Sequence, residues 1–249
     1  MNKMLNKVPQ ITLIFWIIKI LATTVGETAA DFLSETLKLG LTGTSYVMSG
    51  VLLVVLIIQF KCKKYIPAVF WLAVVLLSVV GTLISDNLVD NLGVSLATTS
   101  MIFGGALIVV FIIWYASEKT LSVDNINTTR KEFFYWLAIL FTFALGTSAG
   151  DLISESSGLG YGYAALLFAG IILLDFIAYK FLKLNAILTF WIAYILTRPL
   201  GASLGDLLSQ PVKDGGLGVG TTVTSIVFLS VILILVIYLS IQKKNERTV

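Results

Sequence analysis

The 249-residue chain has no histidine, a single cysteine, four prolines and few charges, with Asp, Glu, Lys and Arg making up 12% of it. Each scarcity excludes something. Without histidine the chain lacks the side chain most used as a general base and as a metal ligand. One cysteine, Cys62, permits neither an internal disulfide nor a thiolate cluster. Flanked by Lys61 and Lys63, it reads as an interfacial residue. There is no phosphate-binding loop and no nucleophile–base arrangement, so an enzyme is the weakest functional reading. Nothing points to nucleic acid.

What is present is apolar. Hydrophobic residues supply 57% of the chain and mean hydropathy is +0.96. That is the composition of a polytopic membrane protein and not of a soluble domain. At about 20 residues per helical span, eight spans take about 160 residues, leaving short loops and no room for a soluble catalytic domain. Backbone polar groups in lipid must be satisfied within the structure, so helices are the default. Long unbroken apolar runs exclude the alternating pattern of a membrane β-barrel.

The stretch from Trp16 to Glu35 is apolar yet carries Lys19, Glu27, Asp31 and Glu35. On a helix, Thr24, Glu27, Asp31 and Glu35 share one stripe. Its skeleton recurs. Trp16, Gly26 and Asp31 are matched by Trp71, Gly81 and Asp86, by Trp136, Gly146 and Asp151, and by Trp191, Gly201 and Asp206. A second acid or its amide stands one turn later: Glu35, Asp90, Glu155 and Gln210. Four copies at identical offsets define an internal repeat, with units over 8–64, 65–118, 130–183 and 184–241 and halves over 1–118 and 130–249.

On these residues the chain resembles the bacterial membrane proteins built from four tandem copies of the repeat of unknown function numbered 347. The unit with Trp71 departs, because Asn87 and Asp90 replace the ending that carries Ser34, Ser154 and Ser209 elsewhere. The resemblance implies an integral membrane protein and brings no activity with it.

The predicted spans are 11–34, 42–60, 67–88, 95–115, 133–154, 161–179, 185–208 and 219–241. Pro9 and Pro67 mark helix starts. The polar link from Ala116 to Lys131 joins the halves. A signal peptide is rejected, since no small-residue cleavage site follows the first apolar run, which is itself a repeat. Lys3, Lys7, Lys61, Lys63, Lys64, Lys119, Arg130, Lys131, Lys180, Lys183, Lys243, Lys244 and Arg247 fall on one side, against Lys38 and Lys213 on the other. This asymmetry puts both termini in the cytoplasm. The expected fold class is an all-α integral membrane protein of eight transmembrane helices, arranged as four tandem, parallel-oriented hairpins in a bacterial cytoplasmic membrane.

The motif then acquires a geometry. Trp16, Trp71, Trp136 and Trp191 fall near the cytoplasmic starts of the odd spans, as interface anchors and packing residues. Gly26, Gly81, Gly146 and Gly201 let helices approach closely. Each aspartate lies about 22 Å further along its helix. Asp31, Asp86, Asp151 and Asp206 thus form one level toward the outer side, with Glu27 a turn deeper and Glu35, Asp90 and Glu155 a turn above.

Ionisable groups in a span mark a functional path. All-oxygen ligands suit hard cations such as Mn²⁺, Ca²⁺ and Mg²⁺, or Na⁺ and protons, and argue against zinc and copper. The four aspartates are the expected metal ligands. Arg198, followed by Pro199, needs an acid partner among Asp206, Glu27 and Asp31, and reads either as a fixed counter-ion or as a substrate contact. Lys19 either pairs with an acid or snorkels to the inner face. The expected function is proton-coupled transport of a cation, with a divalent metal favoured and no resident cofactor. The alternatives are a non-transporting scaffold or sensor with structural acids, and a carrier of a small organic ion using Arg198. The expected partners are the lipid bilayer, the small ion or molecule carried, and further copies of the chain.

Overall fold

A computed structural model describes residues 6–245. Lys3 and Arg247, both used in the orientation argument, lie outside the described residues. Among those described, eight helices are long and apolar enough to cross a membrane, and no strand is present. They are α1 (Leu13–Asp31), α2 (Gly40–Lys61), α3 (Pro67–Asp86), α4 (Leu96–Glu118), α5 (Thr129–Asp151), α6 (Tyr161–Leu182), α7 (Ala186–Ser209) and α8 (Thr221–Asn245).

Local chemistry sets the starts. Thr12, Ser95, Thr128 and Asn185 accept hydrogen bonds from first-turn N–H groups of α1, α4, α5 and α7, which satisfies donors that have no partner inside a helix. Pro67 opens α3, where its missing N–H costs nothing. Pro9, expected to open α1, instead precedes it; the Thr12 cap fixes the start at Leu13.

Three odd helices pass directly into a π-turn after the repeat aspartate: Phe32–Thr36, Asn87–Asn91 and Leu152–Ser156. In the fourth unit Pro211 stands where Thr36, Asn91 and Ser156 stand in the others. Proline has no N–H to give such a turn, and α7 ends at Ser209 before a short 3₁₀ turn over Val212–Asp214.

The odd helices form a closed ring. α1 packs on α3, α3 on α5, α5 on α7, and α7 back on α1. Their most apolar stretches are 56–72% buried, against 11–22% for the even helices, so the odd helices are the inner wall and the even ones the lipid-facing wall. The hairpin expectation needs correction in one respect. The main partner of α2 is α3, not α1; likewise α4 lies on α5, α6 on α7, and α8 on α1. Each unit's second helix therefore clasps the next unit, and α8 clasps the first.

The repeat glycines make the ring this tight. A Cβ on Gly26 would collide with Ser78, on Gly81 with Phe143, on Gly146 with Arg198, and on Gly201 with Thr23. Every one of these partners stands three residues before the glycine of the adjoining unit. One contact is thus used four times around an axis.

The end of the ring where the odd helices begin is filled by aromatic rings. Trp71 packs on Phe15 (5.4 Å between centroids), Trp136 on Phe70 (5.3 Å) and Trp16 on Phe190 (5.8 Å). The tryptophan Nε1 of Trp191 donates to the Leu121 carbonyl at 3.0 Å. Trp71, Trp136 and Trp191 are buried and Trp16 half-buried. Interface anchoring is therefore corrected to packing for the first three.

The same end is laced by a polar latch. Buried Lys7 donates to Glu132 at 2.5 Å and to the Phe60 carbonyl at 3.0 Å, while Gln59 donates to Glu132 at 3.0 Å. Burial pushes the phenol of neighbouring Tyr65 up from its ordinary pKa, and Tyr65 accepts from the indole N–H of Trp71 at 3.1 Å.

Candidate functional site

At the opposite end the ring opens into an acidic cavity of about 150 Å³. Its wall includes Asp31, Asp86, Asp151 and Asp206, one from each inner helix, together with Glu27. Asp90 and Glu155, both exposed, border its mouth with Gln210. The expected level of four aspartates is present as a single chamber. Seven carboxylates line it and no cationic side chain does.

The arrangement follows from helix period and repeat register. Positions four residues apart on each inner helix lie about 6 Å apart along one face. The aspartates form the outer layer. One turn deeper lie the residues that follow each repeat glycine: Glu27, Thr82, Thr147 and Ala202. Deeper again lie Thr23, Ser78, Phe143 and Arg198, and below them Lys19, Val74, Ile139 and Tyr194.

Arg198 lies beneath the cavity, joined to its lining through Glu27. It is fully buried on α7, and its Nη2 donates to Glu27 Oε2 at 2.7 Å, to Thr147 Oγ1 at 2.6 Å and to Thr82 Oγ1. Of the three acids expected as its partner, Glu27 is the one engaged. The buried ion pair needs such geometry, because removing two charges from water is costly unless hydrogen bonds compensate. Pro199 sits inside α7 without ending it, and its ring lies against Gly146 and Gly150, whose bare Cα atoms leave room.

Lys19 does not snorkel. It is fully buried, donates to Thr197 Oγ1 at 3.2 Å, and lies 4.4 Å and 4.2 Å from the ring centres of Phe143 and Tyr194. Cation–π attraction is strong once a cation is desolvated. Lys19 and Arg198 thus stand as two basic side chains beneath seven acidic ones.

Three expectations are corrected. Glu35 is exposed and does not line the cavity, whereas Asp90 and Glu155, at the same register in the equivalent π-turns, do. Thr24 bonds the Ile20 carbonyl of its own helix at 3.1 Å and does not line the cavity. The joint metal site of Asp31, Asp86, Asp151 and Asp206 is not formed as a chelate: among the described residues no three acidic side chains stand at metal-ligating spacing. Aspartate is short, and four helices spaced around a common axis leave its carboxyls on the cavity wall.

Sequence reasoning missed Thr82 and the latch residues Gln59 and Glu132. Thr82 was legible in retrospect from its register, since it follows Gly81 as Glu27 follows Gly26. The latch joins residues far apart in the chain and carries no periodic signal.

Eight apolar helices in a closed ring of four like units define a multi-pass, all-helical membrane protein with internal repeat symmetry. The family model described as Repeat of Unknown Function (DUF347) matches residues 14–65, 69–120, 134–184 and 189–245, and the chain belongs to that family. No curated protein and no solved structure gives a match.

Proposed function

We propose that this protein is a transporter of a bacterial cytoplasmic membrane, with both termini inside, that moves a cation along the axis of its four-unit ring. The observation that carries this reading is the convergence of one aspartate from each of four inner helices on a single acidic cavity. The cavity collects the ion from the outer side. Arg198, Lys19 and the aromatic belt block the inward path, so transport requires a second arrangement in which the belt opens.

An all-oxygen lining favours a hard divalent ion such as Mn²⁺ as cargo, with the aspartates exchanging protons for it. Because no three acids among the described residues stand at ligating spacing, the ion enters this state with its water shell. No catalytic role and no resident cofactor are part of the reading. A carrier of a small organic ion is the second reading, favoured by Arg198 Nε and Nη1, which have no hydrogen-bond partner.

The test is flux into proteoliposomes from a panel of mono- and divalent cations and small organic ions, with and without a pH gradient. Cation flux that responds to the gradient and is lost in Asp31→Asn or Asp151→Asn supports the reading. Absence of flux for every ion, with both variants less stable than the wild type, would show the acids to be structural.

A further inference from the structure

One nitrogen atom on the ring axis has too many acceptors. Nη2 of Arg198 carries two protons, yet faces Glu27 Oε2 at 2.7 Å, Thr147 Oγ1 at 2.6 Å, and Thr82 Oγ1. Both threonine hydroxyl protons are committed elsewhere. Thr82 donates to the Ser78 carbonyl at 3.1 Å and Thr147 to the Phe143 carbonyl at 3.2 Å. Each therefore turns oxygen lone pairs toward the axis. Meanwhile Nε and Nη1 of the same guanidinium are buried without a partner. Three oxygens converge on one point while most of the guanidinium's donors go unused. That is a poor fit for a planar fork of five N–H groups and a good one for a sphere.

The three oxygens come from α1, α3 and α5, each from the residue after the repeat glycine. The fourth such residue is Ala202, which offers no oxygen. Arg198, one turn below it on α7, fills the vacancy with its side chain. The fourth unit thus supplies a tethered cation where the others supply ligands.

We infer that Glu27, Thr82 and Thr147 form an inner site for a dehydrated monovalent alkali cation, of which Arg198 is the built-in competitor. One carboxylate and two hydroxyls balance a single positive charge, and hard oxygen donors select an alkali ion over a soft metal. The inference rests on the transport reading and adds to it an ion held below the aspartate cavity. Binding there requires the guanidinium to leave, and the guanidinium's return expels the ion.

The experiment follows thermal unfolding of the purified full-length protein in detergent while NaCl replaces choline chloride at constant ionic strength. Arg198→Gln removes the competitor, and its stabilisation by Na⁺ is expected to half-saturate at a concentration at least tenfold below the wild type's. Adding Thr82→Val and Thr147→Val is expected to abolish the response. Equal effects of Na⁺ and choline in Arg198→Gln, or an undiminished Na⁺ response in the triple variant, overturn the inference.

If Arg198→Gln does not fold, equilibrium binding of radioactive Na⁺ decides. Saturable binding by the wild type that is lost in Thr82→Val/Thr147→Val supports the site; no saturable binding, or equal binding by both, overturns it. Lost Na⁺ binding with intact cation flux would sink the inner site alone. Intact Na⁺ binding without any flux would sink the transport reading alone.

Discussion

Arg198 and Glu27 show how one substitution in a repeat changes what the whole axis does. Three units keep Thr23, Ser78 and Phe143 at the position where the fourth has Arg198, and Glu27 is the acid among Glu27, Thr82, Thr147 and Ala202. The pair is buried and direct. Removing one partner of such a pair leaves an uncompensated charge and costs about 3–5 kcal/mol. Glu27→Gln is therefore expected to lower the thermal midpoint in detergent sharply. Asp86→Asn, which removes a carboxylate from the cavity wall without orphaning a cation, is expected to leave it nearly unchanged. Arginine's need for an acid was legible in the sequence, because a charge in a span must be met. Which of three acids met it was not, because that depends on how α7 and α1 are rotated about their own axes.

At the scale of the helix, the repeat glycines set the inner wall and the even helices are spectators to it. Gly201 faces Thr23 and the backbone of Thr24, leaving no space for a methyl group, whereas nothing lies within 4 Å of a Cβ placed on Gly50. Overpacking a tight contact costs about 1–3 kcal/mol. Gly201→Ala is expected to destabilise by that order in thermal unfolding, and Gly50→Ala to be silent. Helix number and the glycine role followed from apolar length and spacing, and Pro67 marked the start of α3, while Pro9 did not mark that of α1. The π-turns did not follow. A spacing of Trp, Gly and Asp is the same whether the helix beyond the aspartate is α or π, and it does not say which of Glu35, Asp90 and Glu155, all in π-turns, reach the cavity mouth.

For the whole molecule, chain order and spatial order part company. Four like units in tandem imply a ring or a row, and periodicity alone does not choose between them. The choice is made by α7 packing on α1 and by α8 clasping α1, which closes the ring and brings the fourth aspartate to the other three. The two ends then differ in kind: carboxylates at one, and aromatic rings with the Lys7–Glu132 latch at the other.

The most direct check of a shared, water-filled acidic chamber is thiol accessibility at Asp206, the most buried of the four aspartates on the cavity wall. The Asp206→Cys variant, with Cys62→Ser to remove the native thiol, is reconstituted in vesicles and treated with a membrane-impermeant thiol reagent from either side. The account predicts labelling from the side opposite the termini, slowed when Mn²⁺ is added to that side. No labelling from that side, or labelling indifferent to cations, would contradict it.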